Sequence, residues 1–167
     1  FLKARLGEEV MNQTIYAYIS DGGIQEEISQ GAGRIAGTLG LDNLIMFYDA
    51  NNVQLSTKVE DVDAENVAMK YEAWGWKVIK INGNDVNEIR KALKEAKAEI
   101  SKPTLIIGNT VMGKGAVGAD NSCYENKVST HGQPLSAAGA SIADTIKNLG
   151  GDPEHPFAIL PEVAELY

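Results

Sequence analysis

Cysteine, net positive charge and long apolar runs are all scarce in this sequence, and each scarcity excludes something. The 167 residues contain one cysteine, Cys123. An intrachain disulfide is therefore ruled out, and a reducing compartment fits. The Cys-x7-His spacing from Cys123 to His131 matches no familiar metal-site pattern. Basic residues number 15 against 23 acidic ones, for a formal net charge of −8. A nucleic-acid surface wants clustered Lys and Arg, so no nucleic-acid partner is expected. No apolar run approaches the roughly 20 residues of a membrane span, and no signal-peptide pattern is seen. The nucleotide-binding patterns are missing where they would count: the strand–turn–helix junction at Asp21 lacks Gly-x-Gly-x-x-Gly, and no Gly-Lys-Ser/Thr phosphate loop occurs. Neither a fixed-period repeat nor a low-complexity tract occurs.

What is present suits one soluble α/β domain. Hydrophobic residues make up 44%, ordinary for a globular chain of this size. The organising stretch runs from Asn12 to Val53. An apolar strand, Thr14–Ser20, ends at Ser20-Asp21-Gly22-Gly23, and its continuous apolar character predicts burial on both sides. A helix from about Gln25 to Leu39 follows, with Ile28, Ala32, Ile35 and Leu39 on its apolar face. Gly31, Gly33 and Gly37 weaken that helix by roughly 1 kcal/mol each, which predicts a close neighbour, either a strand or another subunit. A second strand, Leu44–Asp49, ends at Ala50-Asn51-Asn52.

Further on, Asp63 reads as an N-cap for a helix Ala64–Trp74, with Val67, Tyr71 and Trp74 on one face. Trp74 and Trp76 are expected in the core, flanking a glycine. Lys77–Ile81 reads as a third strand. Asp85 with Glu88 is an acidic capping box opening a helix Val86–Ile100, and Thr104–Asn109 is a fourth strand. Strands alternating with helices predict parallel βαβ units: an open parallel sheet with helices on both faces. The glycine-rich stretch Thr110–Gln133 reads as a functional loop at the same sheet edge as Asp21 and Asn51. It contains Lys114, which either faces a phosphate or holds a glycine hinge in solvent. Leu135–Leu149 reads as an amphipathic helix, and Pro161 opens a short last one in the tail that ends at Tyr167. His155 reads as a surface loop residue.

In a parallel sheet both strand tips reach the edge where such sheets bind ligands. Asp21 and Asn51 are therefore expected to meet. A glycine turn opening a helix invites an anion, but the Asp21 carboxylate repels a bare phosphate. A divalent cation removes that conflict: Mg²⁺ takes hard oxygens from carboxylate, amide or carbonyl groups and phosphate together. Asp21, Asn51 and the Val53 main-chain carbonyl make a plausible half-shell. The blander reading also stands, with Asp21 capping the helix and Asn51-Asn52 forming an ordinary turn.

This stretch resembles the thiamine-diphosphate motif of the transketolase family, Gly-Asp-Gly followed about thirty residues later by Asn. Ile24-Gln25-Glu26-Glu27-Ile28-Ser29, Asn43–Asp49, Trp74-Gly75-Trp76, Lys102-Pro103-Thr104 and Ser129-Thr130-His131-Gly132-Gln133-Pro134-Leu135 extend the resemblance over most of the chain. Ser20 departs from it, standing where the family commonly has glycine.

The resemblance implies thiamine diphosphate and Mg²⁺ (or Ca²⁺) as cofactors, with Asp21, Asn51 and Val53 on the metal. It implies that Gly22 lets main chain approach the diphosphate and that His131 lies at the diphosphate and substrate. It further implies a cytoplasmic homodimeric enzyme that moves a two-carbon ketol unit between sugar phosphates. A partner subunit would supply the activating glutamate, with Glu26 as a carboxylate at the dimer interface. Phe1–Leu6 reads as the tail of a helix already under way, so residues 1–167 are expected to be the larger C-terminal part of a diphosphate-binding domain, inactive alone. The deoxyxylulose-phosphate synthase branch, a dehydrogenase component, or an inactive nucleotide-binding or dimerisation fragment are the competing readings.

Overall fold

The computed structural model describes residues 1–166, so Tyr167 at the end of the tail lies outside the described residues. The chain divides into two compact units: Phe1–Gln54 with Lys58–Thr110, and Leu55–Thr57 with the residues from Val111 on.

The first unit is an open sheet of four parallel strands: β1 (Ile15–Ser20), β2 (Leu44–Ala50), β3 (Lys77–Asn82) and β4 (Thr104–Asn109), in the order β1-β2-β4-β3. Its helices are α1 (Leu2–Leu6), α2 (Asp21–Gln25), α3 (Glu27–Thr38), α4 (Val67–Ala73) and α5 (Val86–Lys97). They cover both faces of the sheet. On one face Ile24, Ala36, Tyr48, Ala68, Tyr71, Trp76, Leu105 and Ile107 form a core beneath α3 and α4. On the other, Ala92 and Ala96 of α5 pack on Ile45, Ile81 and Ile106. The expected parallel α/β class is therefore observed, and no helix among the described residues is long and apolar enough to cross a membrane.

Two burial expectations are corrected. β1 is an edge strand, and Ile15, Tyr16 and Tyr18 are more than half exposed. A continuous apolar run does not distinguish an edge position from a central one. On α3 the stripe Ile28, Ile35 and Leu39 is exposed, while Gly33 and Ala36 are buried. The helix turns its small residues inward because the rings of Tyr71, Trp74 and Trp76 come up against it. A methyl on Gly33 would sit 3.3 Å from the Tyr71 ring and 3.2 Å from that of Trp74. A close neighbour is there, but it is α4 and the aromatic turn after it, not the expected strand or second subunit. Trp76 is buried, as expected, and Trp74 packs against the same core.

Local capping moved other boundaries. The helix predicted from about Gln25 is α3, starting at Glu27; the glycine turn expected before it is itself a short helix, α2, separated from α3 at Glu26 by extended backbone (φ −64°, ψ 132°). α4 starts later than predicted because Asn66, not Asp63, caps it and accepts the Met69 N–H at 3.1 Å. Asp63 instead accepts the Glu65 N–H two residues on. Only half of the predicted capping box forms at α5. Asp85 accepts from Asn87 and Glu88, but Glu88 accepts the N–H of Asn82.

The second unit is mostly loop, as the glycine content predicts. It holds a short 3-10 turn (Val128–Thr130) and the helices α6 (Ile142–Asn148) and α7 (Pro161–Ala164). The loop is fastened to α6 by polar bonds. Thr145 Oγ1 accepts the Val117 N–H at 3.1 Å, and Asn148 Nδ2 donates to the Gly115 carbonyl at 2.9 Å. α6 is half the predicted length because Gly139 turns through φ 90° and Ser141 then caps a new start, accepting from Asp144.

Candidate functional site

Parallel register decides what meets at the sheet edge. Ser20 pairs with Asp49, so Asp21 stands one residue past the tip of β1 and Asn51 one residue past the tip of β2. Asp21 is the first residue of α2 and only 2% exposed. Its carboxylate faces the second strand tip. The Asn51 N–H donates to Asp21 Oδ2 at 3.1 Å, thirty positions away in sequence. The Asn52 N–H donates to the same carboxylate. Asn52 lies at φ 62°, a left-handed turn conformation that asparagine tolerates. Tyr48 completes the set, its hydroxyl donating to Asp21 Oδ1 at 2.5 Å from within the core.

Electrostatics at this carboxylate are contested. Burial pushes its pKa up from the ordinary 3.8, and the Asp49 charge adds to the rise. The Tyr48 hydroxyl and the Asn51 and Asn52 N–H groups pull it back down. Burial likewise pushes the Tyr48 phenol up, and its bond to Asp21 adds to that.

The next turn is equally fixed. Asn51 Oδ1 accepts the Val53 N–H at 2.9 Å, an Asx turn that points the amide by main-chain geometry, and the Val53 side chain is buried. Beside them Asp49 accepts from the Tyr18 hydroxyl at 2.6 Å and from the Thr110 hydroxyl.

This donor set consists of hard oxygens. A carboxylate has about four lone-pair sites and an amide oxygen two, so both Asp21 and Asn51 retain acceptor capacity beyond the bonds described. Among the described residues no three His, Cys, Asp or Glu side chains gather as a metal cage. One carboxylate with amide and carbonyl oxygens matches the sites in which a ligand's phosphates complete the shell of a Mg²⁺ ion. Gly22 adds a second fit. A methyl built on it meets nothing within 4 Å, and its φ lies outside the left-handed range. The chain's own packing therefore does not explain a glycine there.

Of the residues singled out from the sequence, Asp21, Gly22, Asn51 and Val53 come together in the first unit. Glu26, at the break between α2 and α3, is exposed in the same unit. His131 caps the 3-10 turn of the second unit, where its buried Nδ1 has no hydrogen-bond partner among the described residues. Lys114 is exposed in that unit's loop. The sequence reading missed Tyr48, counted there only as part of an apolar strand. Its role depends on which face of β2 it occupies, which register reveals and composition does not.

The family model for the transketolase thiamine diphosphate binding domain matches residues 2–167. Transketolase of Geobacillus stearothermophilus is 39% identical over 142 residues, covering 83% of this chain and 20% of that protein. Transketolase 1 of Escherichia coli K12 is 37% identical over 163 residues, covering 95% and 23%. Among solved structures, transketolase from Campylobacter jejuni aligns with a TM-score of 0.81 at 36% identity, covering 96% of this chain and 24% of that one. The Pichia stipitis transketolase complex with sedoheptulose-7-phosphate aligns at 0.82 and 31% identity, covering 92% and 22%. This chain thus spans between a fifth and a quarter of the length of these relatives.

Proposed function

Because this chain belongs to the transketolase thiamine-diphosphate-binding domain family, we propose that its Asp21–Asn51 edge seats the diphosphate of thiamine diphosphate through one divalent cation, Mg²⁺ or Ca²⁺. The observation carrying the proposal is a buried carboxylate just past one strand tip, turned toward the polar turn at the next. Asp21, the Asn51 amide oxygen and the Val53 carbonyl hold the cation. Gly22 leaves room for phosphate oxygens against main chain. His131 presents a ring nitrogen to the diphosphate or moves a proton at a substrate oxygen; its unpartnered buried Nδ1 supports a polar partner supplied by ligand.

In this reading the whole protein transfers a two-carbon ketol unit from a ketose phosphate to an aldose phosphate. Sugar phosphates as substrates are supported by the sedoheptulose-7-phosphate complex of the Pichia stipitis relative. Thiamine diphosphate supplies the carbanion stabilisation that such a transfer requires. This chain's residues anchor, orient and neutralise; the activating glutamate comes from a homodimer partner, toward which Glu26 faces. The setting is the pentose phosphate pathway in the cytoplasm. The present chain, spanning between a fifth and a quarter of its relatives' length, gives no turnover alone.

Calorimetry on the native gene product that carries this chain tests the proposal. Thiamine diphosphate with Mg²⁺ should bind, while NAD and ATP should not. Asp21→Asn should weaken thiamine diphosphate binding by about 100-fold, since loss of a metal-bound charge costs more than a neutral hydrogen bond. Equal binding by wild type and Asp21→Asn would remove the site.

A further inference from the structure

The Asp21 carboxylate is gripped from inside the protein at both oxygens. Tyr48 holds Oδ1 at 2.5 Å, the Asn51 N–H holds Oδ2 at 3.1 Å, and the Asn52 N–H adds a further main-chain bond. The side-chain grip and the main-chain grips differ in kind. The Asn51 and Asn52 donors are main chain, on a turn already fixed by the Val53 N–H. The Tyr48 donor is a side chain held rigid by burial, 6% exposed within the core that contains Ile24 and Trp76. Neither tyrosine rotation nor carboxylate rotation is available without breaking a charge-assisted bond inside a packed core.

We propose that Tyr48 is a positioning residue that fixes the plane of the Asp21 carboxylate and thereby tunes the site toward small octahedral ions. This rests on the cation site proposed above. The physical reason is coordination geometry. Mg²⁺ demands near-ideal octahedral placement at about 2.0–2.1 Å, whereas Ca²⁺ accepts about 2.3–2.6 Å, variable angles and two-oxygen grips by one carboxylate. A carboxylate locked at both oxygens suits the first requirement. Without the hydroxyl, the carboxylate is held only at the Asn51 and Asn52 N–H groups and can turn to chelate the larger ion. The hydroxyl thus acts on selectivity, while the tyrosine ring fills the core.

Tyr48→Phe separates the two contributions, because it keeps the ring and removes only the hydroxyl. The probes are Mg²⁺ alone and Ca²⁺ alone, each titrated calorimetrically into the native gene product in the presence of saturating thiamine diphosphate. Tyr71→Phe is the control, since it deletes a buried hydroxyl in the same core that has no hydrogen-bond partner among the described residues. The expected result for Tyr48→Phe is a loss of Mg²⁺ affinity of about tenfold with Ca²⁺ affinity changed less than about twofold. Tyr71→Phe should leave the Mg²⁺ to Ca²⁺ ratio unmoved. Equal loss for both ions in Tyr48→Phe, no loss for either, or the same ratio shift in Tyr71→Phe overturns the inference and leaves the cation site standing. A wild-type protein that binds neither ion overturns both.

Discussion

The indole N–H of Trp76 donates to the main-chain carbonyl of Gly33 across 2.8 Å. This bond pins the turn between α4 and β3 onto the inner side of α3. It is possible only because α3 is bare there. A methyl on Gly37 would overlap the main-chain oxygen of Trp74, and main chain cannot step aside as a flexible side chain can. Tyr71 lies beside both tryptophans, its ring centroid 4.9 Å from that of Trp74 and 5.2 Å from that of Trp76. Gly37→Ala should therefore destabilise the fold by about 3 kcal/mol, the upper end of ordinary overpacking costs. Gly31→Ala on the same helix has open space around the new methyl. It should gain up to about 1 kcal/mol from helix propensity. Urea denaturation of the two variants checks this: similar midpoints for both would refute the close-approach argument.

Gly22→Ala separates ligand space from protein space. The chain gives the new methyl nothing to strike. Folding stability should be unchanged or rise by up to about 1 kcal/mol. Thiamine diphosphate affinity should nonetheless fall by at least about tenfold if phosphate oxygens lie against this main chain. Thermal unfolding without ligand and calorimetry with it read the two quantities separately. Full affinity in Gly22→Ala would move the diphosphate elsewhere.

Much of this arrangement was legible in the sequence, and what was not shares a cause. The strand Thr104–Asn109 was read to the residue, because Pro103 sets its start and polar residues its end. The meeting of Asp21 with the Asn51 turn followed from parallel topology alone. Faces and partners were harder. The periodicity of α3 is satisfied equally by a large apolar stripe and by a small-residue stripe, and the bulk of three aromatic rings from α4 and its turn chose the latter. Asp63 and Asn66 are both competent caps, and the packing of Val67 and Tyr71 selected the second. Tyr48 is 27 positions from Asp21, and their contact depends on the rotation of β2 about its own axis. Such contacts are settled by tertiary packing, which propensity does not encode.

Glu26 is exposed where α2 breaks into α3, so its carboxylate meets no cost within this chain. A partner subunit that buries it would impose one, offset by sharing a proton with a facing carboxylate. Glu26→Ala should leave the folding stability of this chain within about 0.5 kcal/mol, as for surface substitutions generally. In the native gene product it should raise the dimer dissociation constant by about tenfold and weaken cofactor binding. Sedimentation velocity over a dilution series measures the first effect. A dimer as tight as wild type, with cofactor affinity intact, would take Glu26 out of the interface.

Tyr71 supplies a pH dependence whose sign is fixed by burial. Its side chain is fully buried, and its hydroxyl has no hydrogen-bond partner among the described residues. Burial pushes its pKa from 10.0 to about 12. The folded state therefore holds the phenolic proton more tightly than the unfolded chain does. That contribution to stability is complete below pH 10, shrinks as pH rises, and is gone above about 12. The unmet hydroxyl is also a desolvation cost at every pH, which Tyr71→Phe removes at little change in shape. The variant should be more stable than wild type by about 1–2 kcal/mol at pH 7. Phenylalanine does not titrate, so the gap should widen between pH 10 and 12 as wild type loses its proton-linked share. Guanidinium midpoints of the pair across that range decide the matter. A gap that narrows with rising pH would mean that the Tyr71 hydroxyl is solvated or bonded in solution, contrary to its buried place between the two tryptophans.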